Sequence, residues 1–370
     1  MKKVLFFLKA HAVLAVAIVA AAVTCFIVPP DREYVGYFDF PTLGCLFATL
    51  AVVCALGNIR FFEMLAKKIV VKLKNTRNIV FALVFITYFG SMILANDMAL
   101  ITFLPLGYFA LSRTGKEKYM AFTFVMQNVA ANLGGMLTPF GNPQNLYLYS
   151  YFHIPGGEFF AIMLPTFLVA LVLIVLCCFF VKKEPAWLTD DVAFAVNPRR
   201  LACYLVLFVL SVLSVMRVYP WYIGVGLALA GVAALDVKAY KSVNYSLLFT
   251  FCAFFVFSGN LSRISAVHEL IGSLLNKNVL LFSVLSCQVI SNVPTATLLC
   301  RFTNAYPALL VGVNVGGLGT PIASLASLIT LGSFRAQGGR TGKYLLLFSA
   351  INFSFVVVLC LTGYLFLYVV

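Results

Sequence analysis

The side chains that could do chemistry in this chain are concentrated at two polar interruptions of otherwise apolar sequence. The first is Asn96-Asp97, inside ILANDMALITFLPL, and the second runs from Asn132 to Asn145 and reads NLGGMLTPFGNPQN. Irregular backbone is tolerated at membrane depth only where it is buried in protein or lines a watery cavity. Side-chain amides, hydroxyls and a carboxylate in such surroundings are suited to bind a small ion or polar solute.

Both interruptions recur in the second half of the chain. VISNVPTATLL at 289–299 repeats the first, and VNVGGLGTPIASLASL at 313–328 repeats the second. A repeated broken helix in a membrane protein indicates a secondary transporter with its site at the interface of the repeats. The repetition pairs Asn96 with Asn292, Asn132 with Asn314, Gly134-Gly135 with Gly316-Gly317, and Thr138-Pro139 with Thr320-Pro321.

Asp97 is the one acidic residue deep in an apolar run. A carboxylate at the middle of the bilayer costs at least about 3 kcal/mol, so we expect it to be functional. It could coordinate sodium or carry a proton. The second interruption has Val293 at the equivalent place, so we expect coupling to depend mainly on the first repeat.

Each break frees backbone carbonyls at the end of one half-helix and amides at the start of the next. Carbonyls suit a small hard cation, and helix N-termini suit an anion, so one site could bind both. An isolated Asn can instead be interhelical hydrogen-bond glue, and small residues can form a packing face. The ordered repetition favours binding.

Composition identifies the chain as an integral membrane protein, because 62% of its residues are hydrophobic, 10% are charged and the mean hydropathy is +1.02. The net charge of +14 does not indicate nucleic-acid binding, since Lys and Arg lie in short loops between apolar runs. The ten Cys show no metal-binding spacing. No Ser/His/Asp set or nucleotide loop is present, so we expect neither an enzyme nor an organic cofactor.

Apolar runs predict the transmembrane order. We read the N-terminal run as a first span rather than a cleaved signal peptide. The segment 78–110 forms two arms around the first interruption, which either both cross the bilayer or form a re-entrant hairpin. We predict spans at 11–28, 42–56, 158–181, 201–216, 221–235, 245–257 and 344–369, with broken helices at 120–151 and 305–331.

The predicted order divides the chain into a first repeat with the N-terminal span (1–181), a cytoplasmic linker (182–200) and a second repeat (201–370). An odd number of crossings separates the span at 42–56 from its counterpart at 245–257, so the repeats are inverted. The distribution of Lys and Arg supports a protein of the cytoplasmic membrane with its N-terminus on the cytoplasmic side. With that orientation, the only Lys and Arg outside are Arg32, Arg217, Arg263, Lys277 and Arg301.

The interruptions resemble those of the ion transporter superfamily, which includes divalent anion:sodium symporters, citrate permeases and arsenite permeases. The symporters carry Ser-Asn-Thr at both hairpin tips. Here the first tip reads Ala95-Asn96-Asp97 and the second Ser291-Asn292-Val293, and the Ala-Asn-Asp tip is more similar to arsenite permeases and sodium/proton antiporters. Ser91 matches a sodium-site serine of the symporters, whereas Cys287, at the equivalent place in the second repeat, is a poor sodium ligand.

The resemblance implies an all-α membrane fold of two inverted repeats, each with a re-entrant hairpin and a broken helix, in a homodimer with an elevator motion. It also implies that the GNPQN segment at 141–145 abuts the substrate. We therefore predict that the substrate contacts Asn96, Asp97, Thr138, Pro139, Asn142, Asn292, Val293, Pro294, Thr320 and Pro321. We predict that the cation contacts Ser91, Asn96, Asp97, Asn132, Gly134, Ser291, Asn292, Asn314 and Gly316.

Together these features predict a secondary active transporter that moves a small anion, either a di- or tricarboxylate or an inorganic oxyanion, with Na⁺ or H⁺. The alternatives are a Na⁺/H⁺ antiporter that uses Asp97 and an arsenite-type permease. A receptor or another non-transporting membrane protein is disfavoured, because the longest loop is too short for a soluble output domain.

Overall fold

The computed structural model describes residues 12–62, 64, 68, 71–187 and 196–369. The residues that it describes form no named β-strand, and their helices follow the predicted order. The α-helices are α1 (Ala12–Ile27), α2 (Phe40–Asn58), α3 (Thr76–Gly90), α4 (Asn96–Arg113), α5 (Met120–Gly134), α6 (Pro143–Tyr151), α7 (Gly156–Phe179), α8 (Pro198–Val215), α9 (Trp221–Leu235), α10 (Tyr245–Ser262), α11 (Ser265–Lys277), α12 (Val279–Ile290), α13 (Asn292–Leu299), α14 (Tyr306–Gly316), α15 (Leu325–Ala336) and α16 (Thr341–Tyr368).

Five of the described helices are long and apolar enough to cross a membrane: α2, α7, α8, α10 and α16. Several shorter apolar helices, including α9, accompany them. Large apolar side chains such as Phe26, Phe180 and Leu346 are exposed on the protein surface. Such a surface suits lipid rather than water, and the chain is an integral membrane protein.

Helices α3 and α4, with their counterparts α12 and α13, form two hairpins that meet at the predicted polar interruptions. Helix α3 has 15 residues and α12 has 12, which corresponds to lengths of about 22 Å and about 18 Å. The hydrocarbon core is about 30 Å thick. Both first arms are therefore too short to cross it upright, whereas α4, with 18 residues, is about 27 Å long. The short first arms favour the re-entrant reading over two full crossings.

The two predicted broken helices are present. Helix α5 ends at Gly134, a short 3-10 turn spans Gly135–Leu137, and α6 begins at Pro143. In the second repeat α14 ends at Gly316 and α15 begins at Leu325. The helices predicted to be broken at 120–151 and 305–331 are thus each interrupted at the Gly-Gly-x-x-Thr-Pro sequence.

The packing pairs elements of one repeat with elements of the other. Helix α4 packs against α15, and α13 packs against α6, so the second arm of each hairpin contacts the second half of the opposite broken helix. A separate group of contacts joins α2 to α8 and α9, and α1 to α10. This exchange brings both polar interruptions to one place, although the inversion of the repeats remains a prediction.

The predicted linker at 182–200 begins with a segment that is fixed to the first repeat. The backbone N–H of Thr76 donates to the carbonyl of Glu184 at 2.9 Å, and that of Ala186 donates to Lys74 at 3.2 Å. Residues 188–195 of this linker, part of the stretch between α2 and α3, and the first residue of the predicted N-terminal span lie outside the described residues.

Candidate functional site

Equivalent backbone hydrogen bonds join each hairpin tip to the C-terminal end of the helix break in the same repeat. The N–H of Asn96 donates to the carbonyl of Gly141 at 3.2 Å, and the N–H of Asn292 donates to the carbonyl of Ala323 at 2.9 Å. These four residues occupy equivalent places in the repeated sequence. Each tip is therefore held by the irregular backbone of its own repeat.

A second matched pair of bonds uses the Thr of each Gly-Gly-x-x-Thr-Pro break. The hydroxyl of Thr138 donates to the carbonyl of Met92 at 2.8 Å, and that of Thr320 donates to Gln288 at 3.1 Å. Both acceptors lie at the end of a first hairpin arm. These hydroxyls satisfy backbone carbonyls that a helix end leaves unpaired, so they fasten each hairpin to its break.

Side-chain amides connect the two tips through the buried centre of the molecule. The amide of Asn96 donates to Oδ1 of Asn132 at 3.3 Å. A Cβ built on Gly317 would lie 3.5 Å from that same Oδ1 and 2.9 Å from Nδ2 of Asn292. Only glycine leaves room here for the two Asn side chains to approach the backbone. Both predicted tip residues therefore meet around one point.

The asparagines of the two breaks also bond to each other across the repeats. The amide of Asn142 donates to Oδ1 of Asn314 at 3.1 Å, and the amide of Asn314 donates to Oδ1 of Asn145 at 2.6 Å. Gln144 donates to the same oxygen of Asn314 at 3.3 Å. All four side chains are at most 1% exposed, so this network is a buried clamp between the repeats.

A cavity of about 570 Å³, here called the central cavity, lies between the two tips and the start of α10. Its volume is within the range of small-molecule sites. None of the described residues that line it is basic. The lining residues are Leu14, Asn96, Asp97, Ile101, Pro143, Gln144, Asn244, Ser246, Leu247, Thr250, Ser291, Asn292, Val293, Pro294, Leu325, Leu328 and Ile329.

In the described part of the chain, the first turns of five helices border the central cavity. These are α4, α6, α10, α13 and α15, and each contributes its first residues to the wall. A helix N-terminus carries roughly half a positive charge. Peptide dipoles are therefore the positive partial charges along the described lining, which contains no Lys, Arg or His. Several N–H groups in these first turns already donate to protein acceptors, among them those of Asn96, Leu247 and Asn292.

Asp97 lies in the first turn of α4 and is 6% exposed. Its backbone N–H donates to Oδ1 of Asn96 at 2.9 Å. Among the described residues, no side chain or backbone group bonds to its carboxylate. The carboxylate thus borders the central cavity without a partner, and it is the only ionisable side chain of the described lining.

The second tip contains a strained residue. Ser291 has φ of 73° and ψ of 159°, a conformation that is essentially restricted to glycine and costs of order 1–3 kcal/mol. Its hydroxyl bonds to the carbonyl of Ala323 at 3.2 Å. At the first tip Ala95 has an ordinary extended conformation with φ of −52°. The two tips therefore differ in backbone as well as in charge.

The structure separates the predicted substrate contacts into two groups. Asn96, Asp97, Asn292, Val293 and Pro294 line the central cavity. The other predicted residues do not line it: the Thr hydroxyls point to hairpin carbonyls, and Asn142 belongs to the buried clamp. The residues outside the lining are Thr138, Pro139, Asn142, Thr320 and Pro321, and a binding role for any of the ten remains a prediction.

Of the predicted cation ligands, Ser91 and Gly134 are in contact. A Cβ on Gly134 would lie 2.5 Å from the hydroxyl of Ser91 and 2.0 Å from the carbonyl of Tyr88. The equivalent Gly316 faces the Cys287 thiol, 2.8 Å from a built Cβ. Oxygen atoms that could bind a cation thus lie close to Gly134, whereas a sulfur atom lies close to Gly316.

The remaining predicted cation ligands differ in how many hydrogen bonds their side chains already make. Asn132 accepts from the first tip, as described above. Oδ1 of Asn314 already accepts from two amides of the first break. Ser291 bonds to the backbone of the second break. Cation binding by these residues remains a prediction.

Sequence reasoning did not single out four polar residues of the cavity wall: Gln144, Asn244, Ser246 and Thr250. Gln144 lies in the GNPQN segment, which is predicted as a whole to abut the substrate without a separate role for Gln144. Asn244 is the N-cap of α10 and accepts from the N–H of Leu247 at 3.2 Å. An Asn directly before an apolar run is a recognisable N-cap signal, and it would have located the start of this wall.

Two groups of charged side chains outside the membrane-spanning segments form ion pairs. Lys116 and Lys118 hold Glu184 at 2.8 and 2.6 Å, and their hydrogen bonds lower the pKa of its carboxyl to about 2. Arg263 pairs with Asp31 at 2.7 Å and lowers the pKa of that carboxyl. These pairs fix loops, and none of their members lines the central cavity.

Comparison with known proteins finds relatives that align along much of the chain. An uncharacterised transporter of Methanocaldococcus jannaschii is 32% identical over 324 residues, 87% of this chain and 88% of that protein. The inner membrane protein YbiR of Escherichia coli K12 is 28% identical over 83% of each chain. The silicon efflux transporter LSI3 of Oryza sativa subsp. japonica is 28% identical over 45% of this chain and 34% of its own length.

The fold also matches a solved structure. The crystal structure of the YdaH transporter of Alcanivorax borkumensis, described as having an unusual topology, superposes with a TM-score of 0.55 over 96% of each chain, at 14% identity. Residues 4–307 match the citrate transporter family CitMHS. The matched family and the relatives thus indicate a membrane transporter rather than an enzyme, and the chain belongs to the citrate transporter family.

Proposed function

We propose that this protein is a secondary active transporter that moves a small anion across the cytoplasmic membrane together with Na⁺ or H⁺. The anion is a di- or tricarboxylate or an inorganic oxyanion, and it binds in the central cavity between the two hairpin tips. The family name favours a carboxylate, and the relative named for silicon efflux extends the candidates to inorganic solutes.

The convergence of five helix N-termini on a cavity whose described lining contains no basic side chain carries this proposal. Helix N-termini bind carboxylate and phosphate groups through backbone N–H groups and the helix dipole. Asn96 and Asn292 add amides at the two tips. A cavity of this kind attracts an anion through several fixed partial charges, which together allow binding without the tight hold of a full ion pair.

Coupling follows from the position of Asp97. Five N-termini supply at most roughly +2.5 charges, and an ionised Asp97 reduces this to roughly +1.5. A proton or Na⁺ that neutralises the carboxylate therefore strengthens anion binding. The anion and the cation bind together for this reason, and neither crosses efficiently alone.

If the cation is Na⁺, the first break is its proposed place. Ser91, Gly134 and the Tyr88 carbonyl already lie in contact there, and Asn96 and Asn132 are joined by a hydrogen bond beside them. Oxygen ligands of this type suit hard cations. The second break has the Cys287 thiol in place of the Ser91 hydroxyl, so we propose one Na⁺ site rather than two equal ones.

We propose that the hairpins and broken helices move together against α2, α8, α9 and α10 in an elevator motion, within a homodimer. The contacts of α2 with α8 and α9, and of the two hairpins with the broken helices, support two bodies, and α10 packs against α13 where these bodies meet. Mass measurement of the detergent-solubilised protein tests the dimer, and a monomeric mass at all concentrations would contradict it.

Two experiments test the anion proposal. A thermal-shift screen of carboxylates and oxyanions, with and without Na⁺ and at two pH values, should show stabilisation by the bound anion that grows when the cation is added. Counterflow of the labelled anion into proteoliposomes then tests transport. Absence of stabilisation and of counterflow for every anion class would refute the proposal.

A Na⁺/H⁺ antiporter is the second candidate, because the Asp97 carboxylate faces the cavity with no partner among the described residues. In that case Asp97 alone exchanges the two cations and no anion is required. A sodium gradient would then change the internal pH of proteoliposomes in a medium without permeant carboxylates or oxyanions. The symport proposal expects no such change.

A third candidate is an arsenite-type permease, suggested by the Ala-Asn-Asp tip and by the relative named for silicon efflux. It differs from the carboxylate proposal only in the solute. Uptake of arsenite or silicic acid, with no competition by citrate or succinate, would identify it.

A further inference from the structure

A second cavity of about 470 Å³ lies between the start of α2 and the body of α6. It is separate from the central cavity and shares no lining residue with it. Its walls are contributed by Pro41, Thr42, Cys45, Leu146, Ser150 and Arg217, among others.

Helices α2 and α10 have the same capped first turn, which sets their correspondence. Asp39 accepts from the N–H of Thr42 at 3.0 Å, and Asn244 accepts from the N–H of Leu247 at 3.2 Å. With the caps superposed, three residues of the second cavity correspond to three residues of the central cavity. The pairs are Pro41 with Ser246, Thr42 with Leu247, and Cys45 with Thr250.

The opposite walls correspond as well. The matched tip bonds pair Gly141 with Ala323, and the same spacing pairs Leu146 of α6 with Leu328 of α15. Leu146 lines the second cavity and Leu328 lines the central cavity. Positions on two walls of the second cavity therefore correspond to positions on two walls of the central cavity, whereas its other described walls, from the C-terminal end of α6 and the α8–α9 turn, have no counterpart in the described central lining.

Two contacts hold the second cavity closed. The guanidinium of Arg217, in the α8–α9 turn, donates to the carbonyls of Tyr149 and Ile154 and lies 4.3 Å from the ring centroid of Tyr149. The hydroxyl of Ser150 donates to Oδ1 of Asp39 at 3.3 Å. Both contacts tie α6, or the turn that follows it, to the group of helices around α2.

The central cavity lacks such a fastening. The residues of α15 that correspond to Tyr149 and Ser150 are Leu331 and Gly332, neither of which has a polar side chain. Helices α2 and α6 are packed together, whereas α10 and α15 face each other across the central cavity. The two related cavities are therefore in different states, one fastened and one open.

We propose that the second cavity is the access route to the anion site from the other side of the membrane. It opens when α6 leaves α2, and Pro41, Thr42 and Cys45 then face the bound anion as Ser246, Leu247 and Thr250 do in this structure. Arg217 is the latch that keeps this route closed. The inference rests on the proposed transport function, and with the N-terminus inside, the second cavity opens outward.

Native Cys45 allows a direct test. One variant keeps Cys45 as its only cysteine, and the matched variant carries Cys45→Thr with Thr250→Cys, so that the thiol moves to the corresponding wall. Each is treated with a membrane-impermeant maleimide from either side of oriented vesicles. The expected result is labelling of the two thiols from opposite sides. Labelling of both from the same side would overturn the proposal.

The latch is tested in the same assay. Arg217→Ala should raise the labelling rate of Cys45 about tenfold, the size expected when a charge-assisted hydrogen bond is lost. The control is Arg263→Ala, because Arg263 pairs with Asp31 and not with α6. Ser150→Ala provides a milder second variant. If neither Arg217→Ala nor Ser150→Ala changes the rate, the latch is refuted.

Labelling is measured without any transported solute, so it is independent of the anion's identity. Opposite-side labelling without counterflow of any anion would leave the paired cavities standing and remove the proposed substrate. Counterflow of an anion, with both thiols labelled from the same side, would support the proposed substrate and refute the paired cavities.

Discussion

Replacement of Asp97 by Asn should make anion binding independent of the coupling cation. An ionised carboxylate about 6 Å from a bound anion repels it by about 3 kcal/mol at an effective dielectric constant of about 20. This corresponds to about a 100-fold change in affinity. In the wild type, adding Na⁺ or lowering the pH should therefore strengthen binding by up to this factor. In Asp97→Asn the neutral amide should give the strong affinity under all conditions.

The variant should still fold, because it removes a buried carboxylate with no described partner. Isothermal titration of the anion at two pH values, with and without Na⁺, measures the effect. Gradient-driven accumulation should be lost, whereas counterflow of the anion should persist. Glu184→Gln serves as a charge-matched control outside the cavity. Wild-type dependence on Na⁺ and pH in Asp97→Asn would refute the coupling role.

Two stability predictions concern positions away from the anion. Gly134→Ala should lower the free energy of unfolding by at least about 3 kcal/mol, since its Cβ would lie 2.0 Å from the Tyr88 carbonyl; Gly332→Ala, which meets nothing within 4 Å, should be neutral or slightly stabilising. Glu184→Gln should lower the unfolding temperature at pH 7. The difference from the wild type should shrink as the pH falls from about 4.5 towards 2, because the hydrogen bonds from Lys116 and Lys118 lower the pKa of Glu184 to about 2. Thermal unfolding in detergent measures both, and a Glu184→Gln difference that grew on acidification would contradict the ion-pair argument.

Much of the fold could be predicted because its signals are local. Glycine, proline and asparagine interrupt an apolar run in a way that sequence shows directly, so the breaks near Gly134 and Gly316 were predicted. Helix α9, Trp221–Leu235, has the predicted bounds. The relation between the two halves was visible because the same interruptions occur in the same order.

The direction of a side chain could not be predicted in the same way. Thr138 and Thr320 are polar residues next to a break, which suggested substrate contact. In the structure each hydroxyl bonds to a carbonyl at the end of a hairpin arm. Which of two nearby acceptors a hydroxyl finds depends on how the hairpin packs on the break, and that is set by tertiary contacts far along the chain.

The same reason explains the wall formed by α10. Ser246 and Thr250 are unremarkable in sequence, since the start of an apolar helix often carries hydroxyls. They line the cavity because α10 packs against α13, the second arm of the second hairpin, and the first turn of α10 borders the cavity. This wall also belongs to the group of helices around α2, so the anion is enclosed by both proposed moving bodies.

The difference between the repeats explains how one pocket can serve both binding and coupling. Asn96 and Asn292 are the same in both tips, so the neutral contacts to the anion are nearly symmetric. Asp97 and Val293 are not, so only one side can take up a cation. In the proposed mechanism, because the cavity wall has no permanent positive side chain among the described residues, the strength of anion binding would follow the charge on Asp97. A fixed Lys or Arg would hold the anion after the cation had left, whereas this arrangement releases both together.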